Sequence, residues 1–365
     1  MRLRVLQLIT KSYWAGAQRI VYEICKGIKE TADTGIDVEV AMNGEGPLVK
    51  KIEDLGVKVH IIRNFVREIN PIKDLAAYIE IKELLKKNKY DVVHCHSSKA
   101  GILGRIAAKK TKIKKVIYTI HGWWGITQYK GFRRKVALSI EKHMSKMTHK
   151  LVFVCNKDKD FAMKYKIGRS TQHMVISNKI TVPRYQTGKL RSILGVPETT
   201  KIVGNVARLS PPKNPIRFVE VSKRIVDTLK EVMFVWIGDG ELKQKAEELS
   251  ESLGINERTR FIGFHENGAE LMADFDCLLM TSDDEGLPIT VLEAVAQGIP
   301  VVSTDVGGVK EILSDRDLVM PIGETIISDL SKAVVRALNS ESKEVPLYSL
   351  SSKDMIDAYV KIYKE

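Results

Sequence analysis

Two glutamates flank the start of a predicted helix in the segment SDDEGLPITVLEAVAQGIPVVSTDVGG, residues 282–308. Glu285 precedes the helix and Glu293 lies within it. A carboxylate can accept two hydrogen bonds from a vicinal diol such as a ribose, and Glu285 could bind hydroxyls of a second sugar. The first N–H groups of a helix are unpaired and suit a phosphate. The segment is therefore suited to bind both ends of a nucleotide-sugar.

Two cations follow another predicted strand. The segment ARLSPPKNP, residues 207–215, places Arg208 and Lys213 between a strand end and a helix start. Each could add charge-assisted hydrogen bonds to a phosphate, worth roughly 1.5–3 kcal/mol. With the helix N-terminus they form a pyrophosphate site that needs no metal. Ordinary solvated surface charges are the alternative interpretation of all four residues.

Glycine turns follow two further strands. In GDGEL, residues 238–242, the turn at Asp239 and Gly240 lets backbone approach a ligand closely. In RFIGF, residues 260–264, Ile262 and Gly263 end a strand in the same way. In doubly wound folds, ligands bind outside the carboxyl ends of the strands, so these positions belong to the same predicted site.

The elements that must position these residues alternate between strand and helix patterns. Near-continuous hydrophobic strands separated by helices indicate parallel sheets covered on both faces. The fold class is therefore predicted as α/β, with two Rossmann-like doubly wound domains that face one another across a cleft. The predicted strands are LRVLQLI, DVEVAM, VKVHII, DVVHC, KVIYTI, KLVFVC and HMVI, then TKIVGNVAR, EVMFVWIG, RTRFIGF, DCLLM, IPVVST and DLVM.

Composition shifts suggest the domain boundaries. Residues 1–180 are predicted to form an N-terminal, acceptor-side domain, and residues 181–350 a C-terminal domain that binds the nucleotide-sugar. Residues 181–200 are rich in turn-forming residues and separate the two strand series. Residues 351–365 begin with a serine N-cap candidate and carry an apolar stripe, so this helix is predicted to pack back on the N-terminal domain.

Composition excludes several classes of protein. The chain has 365 residues, 44% hydrophobic and 28% charged, as in ordinary soluble domains. No apolar run approaches the roughly 18 residues that span a bilayer, and the first ten residues are predicted to form a strand rather than a signal peptide. The four cysteines lack CxxC spacing, so we expect buried free thiols in a reducing cytoplasm.

The net charge of +13 is unevenly distributed. Residues 1–180 hold 36 Lys and Arg against 16 Asp and Glu, whereas the remaining residues have a net charge of −7. The N-terminal domain is therefore expected to face an anionic partner. Between Lys99 and Lys150 there are 14 basic residues and a single acid, Glu141.

That basic stretch includes an amphipathic helix pattern, GFRRKVALSIEKHMSKM. A basic amphipathic helix beside aromatic residues fits an anionic membrane surface. The alternative is that the apolar stripe belongs to the core and the cations keep the outer face solvated. No nucleic-acid partner is expected, because no stacking platform or groove-reading motif accompanies the charge. The stripe consists of Phe132, Val136, Ile140, Met144 and Met147, and Trp123, Trp124 and Tyr129 precede it.

Four segments carry a resemblance to a known family: EGLPITVLEAVAQGIPVVSTDVGG, ARLSPPKNP, IGDGEL and RFIGF. In their order and spacing they resemble the retaining glycosyltransferases of family 4, which have the GT-B fold. The resemblance covers essentially the whole chain. It implies that Arg208 and Lys213 contact the donor diphosphate, that Glu293 contacts the ribose and that Glu285 contacts the transferred sugar. The other implied donor contacts are the GDGEL turn at Asp239 and Gly240, the segment Ile262–Gly263 beside the base, and the backbone around Gly286, Leu287 and Pro288.

The N-terminal half resembles the family as well. SYWAGAQRIVYEI resembles the glycine loop that closes over the diphosphate, with Gly16 as a backbone donor, although Ala15-Gly16-Ala17-Gln18 keeps only one of the family's two adjacent glycines and replaces its Glu. YTIHGWW places His121 at a strand end, where the family often directs a histidine at the donor sugar. His94 and His96 of DVVHCHSSKAG match without an assigned role, and His94 is expected to be structural.

The resemblance implies transfer of a hexosyl or N-acetylhexosaminyl group, with retention, from a nucleotide-diphosphate sugar. A UDP-sugar is favoured. No carboxylate is evidently placed as a nucleophile, so a front-face displacement without metal or cofactor is expected, with the leaving diphosphate helping to deprotonate the acceptor. Asp315-Arg316-Asp317 has a metal-binding spacing but is predicted to be a solvated loop.

The expected acceptor is a lipid-linked saccharide in surface-polysaccharide or glycolipid assembly, at the inner face of the cytoplasmic membrane. One alternative is the same transfer to a soluble small molecule. A GT-B-fold sugar-nucleotide epimerase and a non-catalytic sugar-nucleotide-binding protein are two further alternatives. A Rossmann dehydrogenase is disfavoured, because no GxGxxG follows the first strand.

Overall fold

The computed structural model describes residues 2–31, 34–44, 46–66, 68–183, 185–313, 318–340 and 351–365. The chain divides into two compact units. The first unit is Met1–Ile180 with Ser351–Glu365, and the second unit is Thr181–Leu350. Each unit is built around one parallel sheet, so the α/β class predicted from the strand and helix patterns is confirmed.

The first unit contains a seven-stranded parallel sheet in the order β3-β2-β1-β4-β5-β6-β7. Chain order reverses between β1 and β4, which pair directly and put Gln7 beside His94. Every strand coincides with one of the predicted hydrophobic runs. The bounds are β1 Leu3–Leu8, β2 Ile36–Met42, β3 Val59–Ile61, β4 Val92–Cys95, β5 Lys115–Ile120, β6 Lys150–Phe153 and β7 His173–Val175.

Helices connect these strands and cover both faces of the sheet. Their bounds are α1 Gly16–Glu30, α2 Leu48–Glu53, α3 Pro71–Asn88, α4 Ser98–Lys110, α5 Trp124–Thr127, α6 Gly131–Ser145 and α7 Asn156–Lys164, with a 3₁₀ turn at Ser170–Gln172 and the C-terminal helix α15 at Lys353–Lys364.

Local chemistry explains where these helices begin. The apolar positions of α1 recur every three to four residues, so Ile20, Ile24 and Ile28 are buried together. In α3 the side chain of Asn70 accepts a hydrogen bond from the Lys73 N–H, and Pro71 occupies the first helical position. Before α15, Ser352 has helical dihedrals and its side chain caps no N–H group, whereas the Ser351 hydroxyl accepts from the Lys353 N–H at 3.4 Å.

The two faces of the first sheet differ in chemistry. Leu6 and Leu8 of β1 point into an apolar core shared with α3 and α4. The alternate residue, Gln7, and its neighbour His94 are completely buried on the other face. There α15 packs against α1, with Ile356 directly over Gly27, and contributes buried Tyr359 and Tyr363.

The apolar stripe of α6 is not uniform. Met144 is buried and Met147 is half-buried, as the core interpretation expects. By contrast, Phe132, Val136 and Ile140 have relative exposures of 79%, 41% and 42%. The core interpretation is therefore wrong for α6 from Phe132 to Ile140 and correct for Met144 in its last turn.

The second unit contains a six-stranded parallel sheet in the order β10-β9-β8-β11-β12-β13, so chain order reverses between β8 and β11. All six strands fall within predicted runs. Their bounds are β8 Lys201–Val206, β9 Val232–Ile237, β10 Thr259–Phe261, β11 Cys277–Met280, β12 Val301–Thr304 and β13 Val319–Met320.

The helices of the second unit pack around a core that includes Phe218, Phe234 and Trp236, with ring edges directed at ring faces. Their bounds are α8 Lys189–Leu194, α9 Pro215–Val226, α10 Lys243–Ser252, α11 Gly268–Met272, α12 Ile289–Ala296, α13 Val309–Ile312 and α14 Ile326–Leu338, and a 3₁₀ turn spans Pro211–Lys213.

The segment 181–200, read from sequence as turn-rich, contains a short helix. The first N–H groups of α8 are satisfied by a residue far away in the chain, because the Asp274 carboxylate accepts from Leu190 and Arg191. A cap that lies about eighty residues away leaves no local sequence signal, so the pattern could not show this helix.

Two expectations from composition can be compared with the described residues. All four cysteines are unpaired and buried, and burial raises the pKa of the Cys95 and Cys277 thiols to about 12. Within the described ranges, no helix combines the length and the hydropathy that crossing a bilayer requires.

Candidate active site

The predicted donor residues of the second unit follow four neighbouring strands, β10, β9, β8 and β11. Since all strands of this sheet are parallel, their carboxyl ends meet at one edge. The loops after β8 and β11 flank the point where chain order reverses, which is where open α/β sheets leave a crevice for a ligand. Lys213 follows β8 and Glu285 follows β11, so both residues lie at this point.

The loop after β8 presents Lys213 through a fixed backbone conformation. Pro211–Lys213 forms a single 3₁₀ turn, and Asn214 then adopts a left-handed conformation with φ +48°. The Asn214 side chain accepts from the Arg217 N–H, and Pro215 opens α9. Asparagine tolerates this conformation and caps helices well, so the sequence KNP itself explains why Lys213 stands immediately before a helix N-terminus.

The loops after β8 and β11 are tied together by several polar contacts. The Thr281 hydroxyl donates to the carbonyls of Lys213 and Asn214, at 3.2 and 3.0 Å. Arg217 binds Asp283 at 2.7 Å and also donates to the Thr281 carbonyl. Through its contact with Arg217, Asp283 ties the loop after β11 to the first turn of α9.

Lys213 and Glu285 form an ion pair. The Lys213 Nζ lies 2.6 Å from each carboxylate oxygen of Glu285, and the Ser282 hydroxyl donates to Glu285 Oε1 at 2.7 Å. The Glu285 side chain is 9% exposed and that of Lys213 27% exposed. The sequence assigned the two residues to different parts of the donor, and it did not predict that they would bind one another.

At this edge of the sheet, glycines allow two backbone segments of the protein to pack closely against one another. At Gly307, φ is +51°, and a Cβ atom would lie 2.0 Å from the Gly286 carbonyl oxygen. The Gly308 N–H donates to that same oxygen at 2.8 Å. The glycine pair of the opening segment therefore fixes the backbone that carries Glu285 and Gly286.

The GDGEL turn supports the Arg208 loop in a similar way. A Cβ atom at Gly240 would lie 2.3 Å from the Leu209 carbonyl oxygen, and the Leu209 N–H donates to the Asp239 carbonyl at 2.9 Å. Trp236 also donates to the Ala207 carbonyl at 2.7 Å. These contacts hold the backbone on both sides of Arg208, whose side chain is exposed.

Helix α12 begins at Ile289, so Glu293 lies within it as predicted, just over one turn from its N-terminus. Gly286, Leu287 and Pro288 are buried, and Glu293 is half-buried. Ile262 and Gly263 are half-buried after β10, and Gly263 accepts from the Gly238 N–H at 2.8 Å.

In the first unit, Gly16 is the first residue of α1 and is exposed. The first turn of α1 contains no acidic residue, which favours binding of an anion there. Gln18, which replaces the glutamate usual in the family, donates to the Lys11 carbonyl at 3.2 Å and so closes the loop before the helix.

His121 follows β5 and contacts His96, with 3.4 Å between His121 Nε2 and His96 Nδ1. His96 is 1% exposed and His94 completely buried, so His94 is structural, as expected. Burial lowers the pKa of His121 to about 4 and lowers the pKa values of His94 and His96 well below the usual range. Sequence reasoning missed this cluster, and the alternation of Gln7 with Leu6 and Leu8 was the signal that could have revealed it.

Among the described residues, no group of three or more His, Cys, Asp or Glu side chains is arranged to hold a metal ion. The predicted Asp315-Arg316-Asp317 loop lies outside the described residues. The predicted site residues at the edge of the second sheet include the carboxylates of Glu285 and Glu293, which can bind sugar hydroxyls, and the cations Arg208 and Lys213, which can bind phosphate oxygens.

Comparison with known proteins identifies the family. The sequence profile of glycosyltransferase family 4 matches residues 14–181, and that of the group 1 glycosyl transferases matches residues 186–349. The chain is 31% identical over 284 residues to the UDP-Gal:α-D-GlcNAc-diphosphoundecaprenol α-1,3-galactosyltransferase of Escherichia coli, covering 74% of this chain and 72% of the relative. It is 26% identical to an Escherichia coli O-antigen biosynthesis glycosyltransferase, over 98% of this chain and 97% of the relative.

Solved structures show the same fold. HepE of Anabaena, solved in complex with UDP-glucose, has a TM-score of 0.78 at 19% identity, and the match covers 99% of each chain. At this identity the likeness shows the fold alone, and that fold is GT-B. The chain is therefore a glycosyltransferase, and it belongs to glycosyltransferase family 4.

Proposed function

We propose that the protein transfers a hexosyl or N-acetylhexosaminyl group from a UDP-sugar to a lipid-linked saccharide during assembly of a bacterial surface polysaccharide. The observation that carries this proposal is the Lys213–Glu285 pair at the reversal between β8 and β11. In this pair, a cation that can bind phosphate lies at hydrogen-bond distance from a carboxylate that can bind hydroxyls, and both lie beside the start of α9. A sugar diphosphate needs that combination.

The proposed mechanism is electrostatic. Arg208 and Lys213 bind the diphosphate and offset the negative charge that grows on it as the glycosidic bond breaks. An ammonium group has three N–H donors, so Lys213 can contact a phosphate oxygen while it still contacts Glu285. Glu293 binds the ribose, and His121 and Gly16 bind the transferred sugar and the diphosphate.

Retention of configuration is proposed to follow a front-face path. Glu285 is the carboxylate assigned to the transferred sugar, but both of its oxygens accept hydrogen bonds, from Lys213 and Ser282. Those bonds make it a weaker nucleophile. Glu285 therefore orients hydroxyls, the leaving diphosphate accepts the acceptor's proton, and no metal ion or cofactor takes part.

The donor and the acceptor are proposed from the relatives and from the charge of the first unit. One relative is named for UDP-galactose and a diphosphoundecaprenol acceptor, and HepE was solved with UDP-glucose. A diphosphate-linked lipid is anionic, and residues 1–180 have a net charge of +20. Both features favour an acceptor presented at the inner face of the cytoplasmic membrane.

A basic and apolar surface on the first unit supports membrane contact. Helices α3 and α6 pack on the same core as α4, so they lie on one face of the sheet. The α6 stripe (Phe132, Val136 and Ile140) and the α3 stripe (Ile72, Leu75 and Ile79) are both exposed. Glu141, the only acid between residues 99 and 150, is buried against Arg105, so that stretch presents no carboxylate to an anionic surface.

The donor proposal can be tested by thermal shift with UDP-, GDP- and ADP-sugars. A ligand at about 100 times its dissociation constant should stabilise the protein by roughly 2.7 kcal/mol. Transfer is then measured with the stabilising donor and a polyprenyl-diphosphate saccharide, and the anomer of the product is read by NMR. Stabilisation by UDP-sugars and an α-linked product from an α-linked donor are expected.

The alternatives give different results in the same assays. If a soluble saccharide is as good an acceptor as the lipid-linked one, the proposal that the acceptor is lipid-linked is contradicted. Interconversion of the donor without any acceptor would identify an epimerase, and donor binding without transfer or hydrolysis would identify a non-catalytic protein. Loss of activity with a chelator would contradict metal independence.

The membrane contact is tested by flotation with vesicles of phosphatidylglycerol and phosphatidylethanolamine. Phe132→Ser with Val136→Ser should reduce binding. The matched control is Ile193→Ser, at an exposed apolar residue of α8 in the second unit. Absence of wild-type binding at low salt, with or without anionic lipid, would remove the membrane part of the proposal.

A further inference from the structure

A continuous chain of buried polar side chains runs from α15 to His121 in the first unit. The Tyr363 hydroxyl oxygen lies 2.8 Å from Gln7 Nε2, and Gln7 Oε1 lies 2.7 Å from His96 Nε2. His96 Nδ1 then lies 3.4 Å from His121 Nε2. Tyr363, Gln7 and His96 are at most 1% exposed, so their partners are one another rather than solvent.

The chemistry of these groups fixes the direction of each hydrogen bond. A carboxamide oxygen can only accept, so His96 must donate from Nε2 to Gln7. A neutral imidazole has one N–H group, so His96 Nδ1 carries a lone pair and accepts. His121 must therefore donate from its own Nε2.

A second branch holds Gln7 in this orientation. The Tyr363 hydroxyl oxygen also lies 2.7 Å from His94 Nδ1, and His94 Nε2 lies 2.7 Å from the Thr119 hydroxyl oxygen. Tyr363 can accept from the Gln7 amide and donate its own proton to His94, which then donates from Nε2 to Thr119. In this arrangement each polar side-chain atom of Tyr363, Gln7, His94 and His96 has a hydrogen-bond partner.

All three histidines are neutral at pH 7. Burial lowers their pKa values, that of His121 to about 4. A neutral His121 that donates from Nε2 has an unprotonated Nδ1. Of its two ring nitrogens, Nδ1 is the one that the chain of hydrogen bonds does not use, and His121 is half-buried whereas the rest of the chain is buried.

We propose that Tyr363, Gln7 and His96 are positioning residues that hold His121 in its Nε2–H tautomer, which makes His121 Nδ1 a hydrogen-bond acceptor for a hydroxyl of the transferred sugar. The inference rests on the proposed function for the contact between His121 and the sugar. It gives α15, which carries no predicted substrate contact, a role in the reaction: its Tyr363 determines which ring nitrogen of His121 can accept.

The tautomer can be measured without turnover. In the full-length protein with ¹⁵N-labelled histidine, long-range ¹H–¹⁵N correlation spectra distinguish the two tautomers, and His121→Ala assigns the signal. The expected pattern is a protonated Nε2 in His121. A protonated Nδ1, which a reversed Gln7 carboxamide would produce, overturns the inference whether or not a transfer assay is at hand.

The kinetic test uses two tyrosines of the same helix. Tyr363→Phe removes the hydroxyl that orients Gln7, and we expect kcat to fall roughly tenfold, the effect of losing one buried hydrogen-bond partner. Tyr359→Phe is the matched control, because Tyr359 is equally buried but its hydroxyl contacts only Thr119, at 3.4 Å, among the residues of this cluster. It should keep kcat within about twofold.

A double-mutant cycle separates positioning from a loss of stability. In a His121→Ala background, Tyr363→Phe should change kcat by less than about twofold, because the residue it acts through is absent. Gln7→Met should show the same dependence on His121 if Tyr363→Phe fails to fold. A tenfold loss that persists without His121 overturns the inference and leaves the proposed function intact, since the wild-type protein still transfers sugar.

Discussion

Lys213 and Glu285 lie 72 residues apart in sequence and within 2.6 Å in the structure. They come from the two loops that flank the reversal of strand order between β8 and β11. The carboxylate is nearly buried, so in the absence of ligand its charge is balanced mainly by the lysine. The pair therefore has two roles that can be separated, support of the loop and contact with the donor.

Replacing Lys213 with methionine should weaken both roles. Glu285 loses its ion partner, and because the pair is partly exposed we expect a loss of about 1–3 kcal/mol in the free energy of unfolding of the second unit. Loss of a cation that offsets leaving-group charge should lower kcat/KM by about 10²-fold. Steady-state kinetics and thermal unfolding with and without UDP measure the two effects.

The control for this variant is Lys223→Met. Lys223 pairs with Asp227 at a similar distance, 2.8 Å, but on the exposed surface of α9. Exposed pairs are worth little, so stability and kcat/KM should both stay close to wild type. Donor binding by Lys213→Met as tight as that of the wild type would contradict the assignment of Lys213 to the diphosphate.

Gly307→Ala should disturb the Glu285 loop. The backbone at Gly307 is left-handed, and the added Cβ would lie 2.0 Å from the Gly286 carbonyl and 2.6 Å from that of Glu285. Gly254→Ala is the control, since Gly254 is also left-handed, with φ +66°, but nothing lies within 4 Å of its Cβ position. The control should cost about 1 kcal/mol from backbone strain alone.

The loss of stability in Gly307→Ala beyond that in Gly254→Ala then measures the cost of the steric clash. We expect thermal unfolding of Gly307→Ala to occur well below that of Gly254→Ala, with weaker binding of a UDP-sugar by titration calorimetry. Equal unfolding temperatures and equal donor affinity in the two variants would show that the glycine pair does not hold the Glu285 loop.

The sequence predicted the strands of both sheets, and the physical reason is simple. The inner strands, such as β4, β11 and β12, are buried throughout, so each appears as a continuous hydrophobic run that no other local structure explains as well. The position of Lys213 before a helix was also predictable, because proline and asparagine have strong local preferences. These signals act over a few residues.

Contacts between distant segments could not be predicted in this way. The pairing of Lys213 with Glu285, the hydrogen bonds that Asp274 accepts from α8 and the contact of Arg217 with Asp283 each join segments that are far apart in sequence. Which charges meet depends on strand order, and the strand order β10-β9-β8-β11 is not contained in any one segment. The placement of Gln7 against His94 depends on strand register for the same reason.

Stability should fall as the pH is lowered from 6.5 to 4. Burial lowers the pKa values of His94, His96 and His121 in the folded protein, so the unfolded chain binds more protons in this range. The stabilisation is complete above the unfolded pKa of about 6.5 and is lost as the pH falls toward the folded values. The slope should approach about 1.4 kcal/mol per pH unit for each histidine.

Urea unfolding monitored between pH 4.5 and 7.5 measures that slope, and the intrinsic fluorescence of the first unit's tryptophans reports on the relevant part of the chain. His94→Gln removes one of these histidines, so the slope should fall by the contribution of one proton, about 1.4 kcal/mol per pH unit. A free energy of unfolding that is flat across this range would mean that the three histidines are not held neutral by burial.

The buried pair of Arg105 and Glu141 gives the last prediction. Arg105 Nη2 lies 2.9 Å from Glu141 Oε2, and the guanidinium also stacks over the Tyr118 ring at 4.3 Å. Glu141→Ala leaves a fully buried cation without a counter-charge, and we expect a loss of about 3–5 kcal/mol. Arg105→Met combined with Glu141→Leu replaces both charges with apolar groups and should recover most of that loss, because neither charge then has to be buried.

Local hydrogen exchange in α4 and α6 is the measurement of choice, since unfolding of a two-unit chain need not follow a two-state transition. Asp54→Ala, which breaks an exposed lysine–aspartate pair on α2, is the control and should leave exchange in these helices unchanged. Because the double variant keeps the α6 stripe and its surface cations, it should still bind anionic vesicles, whereas Glu141→Ala should lose binding together with the order of α6. Slow exchange in both helices of Glu141→Ala would show that the pair does not hold α6 against α4.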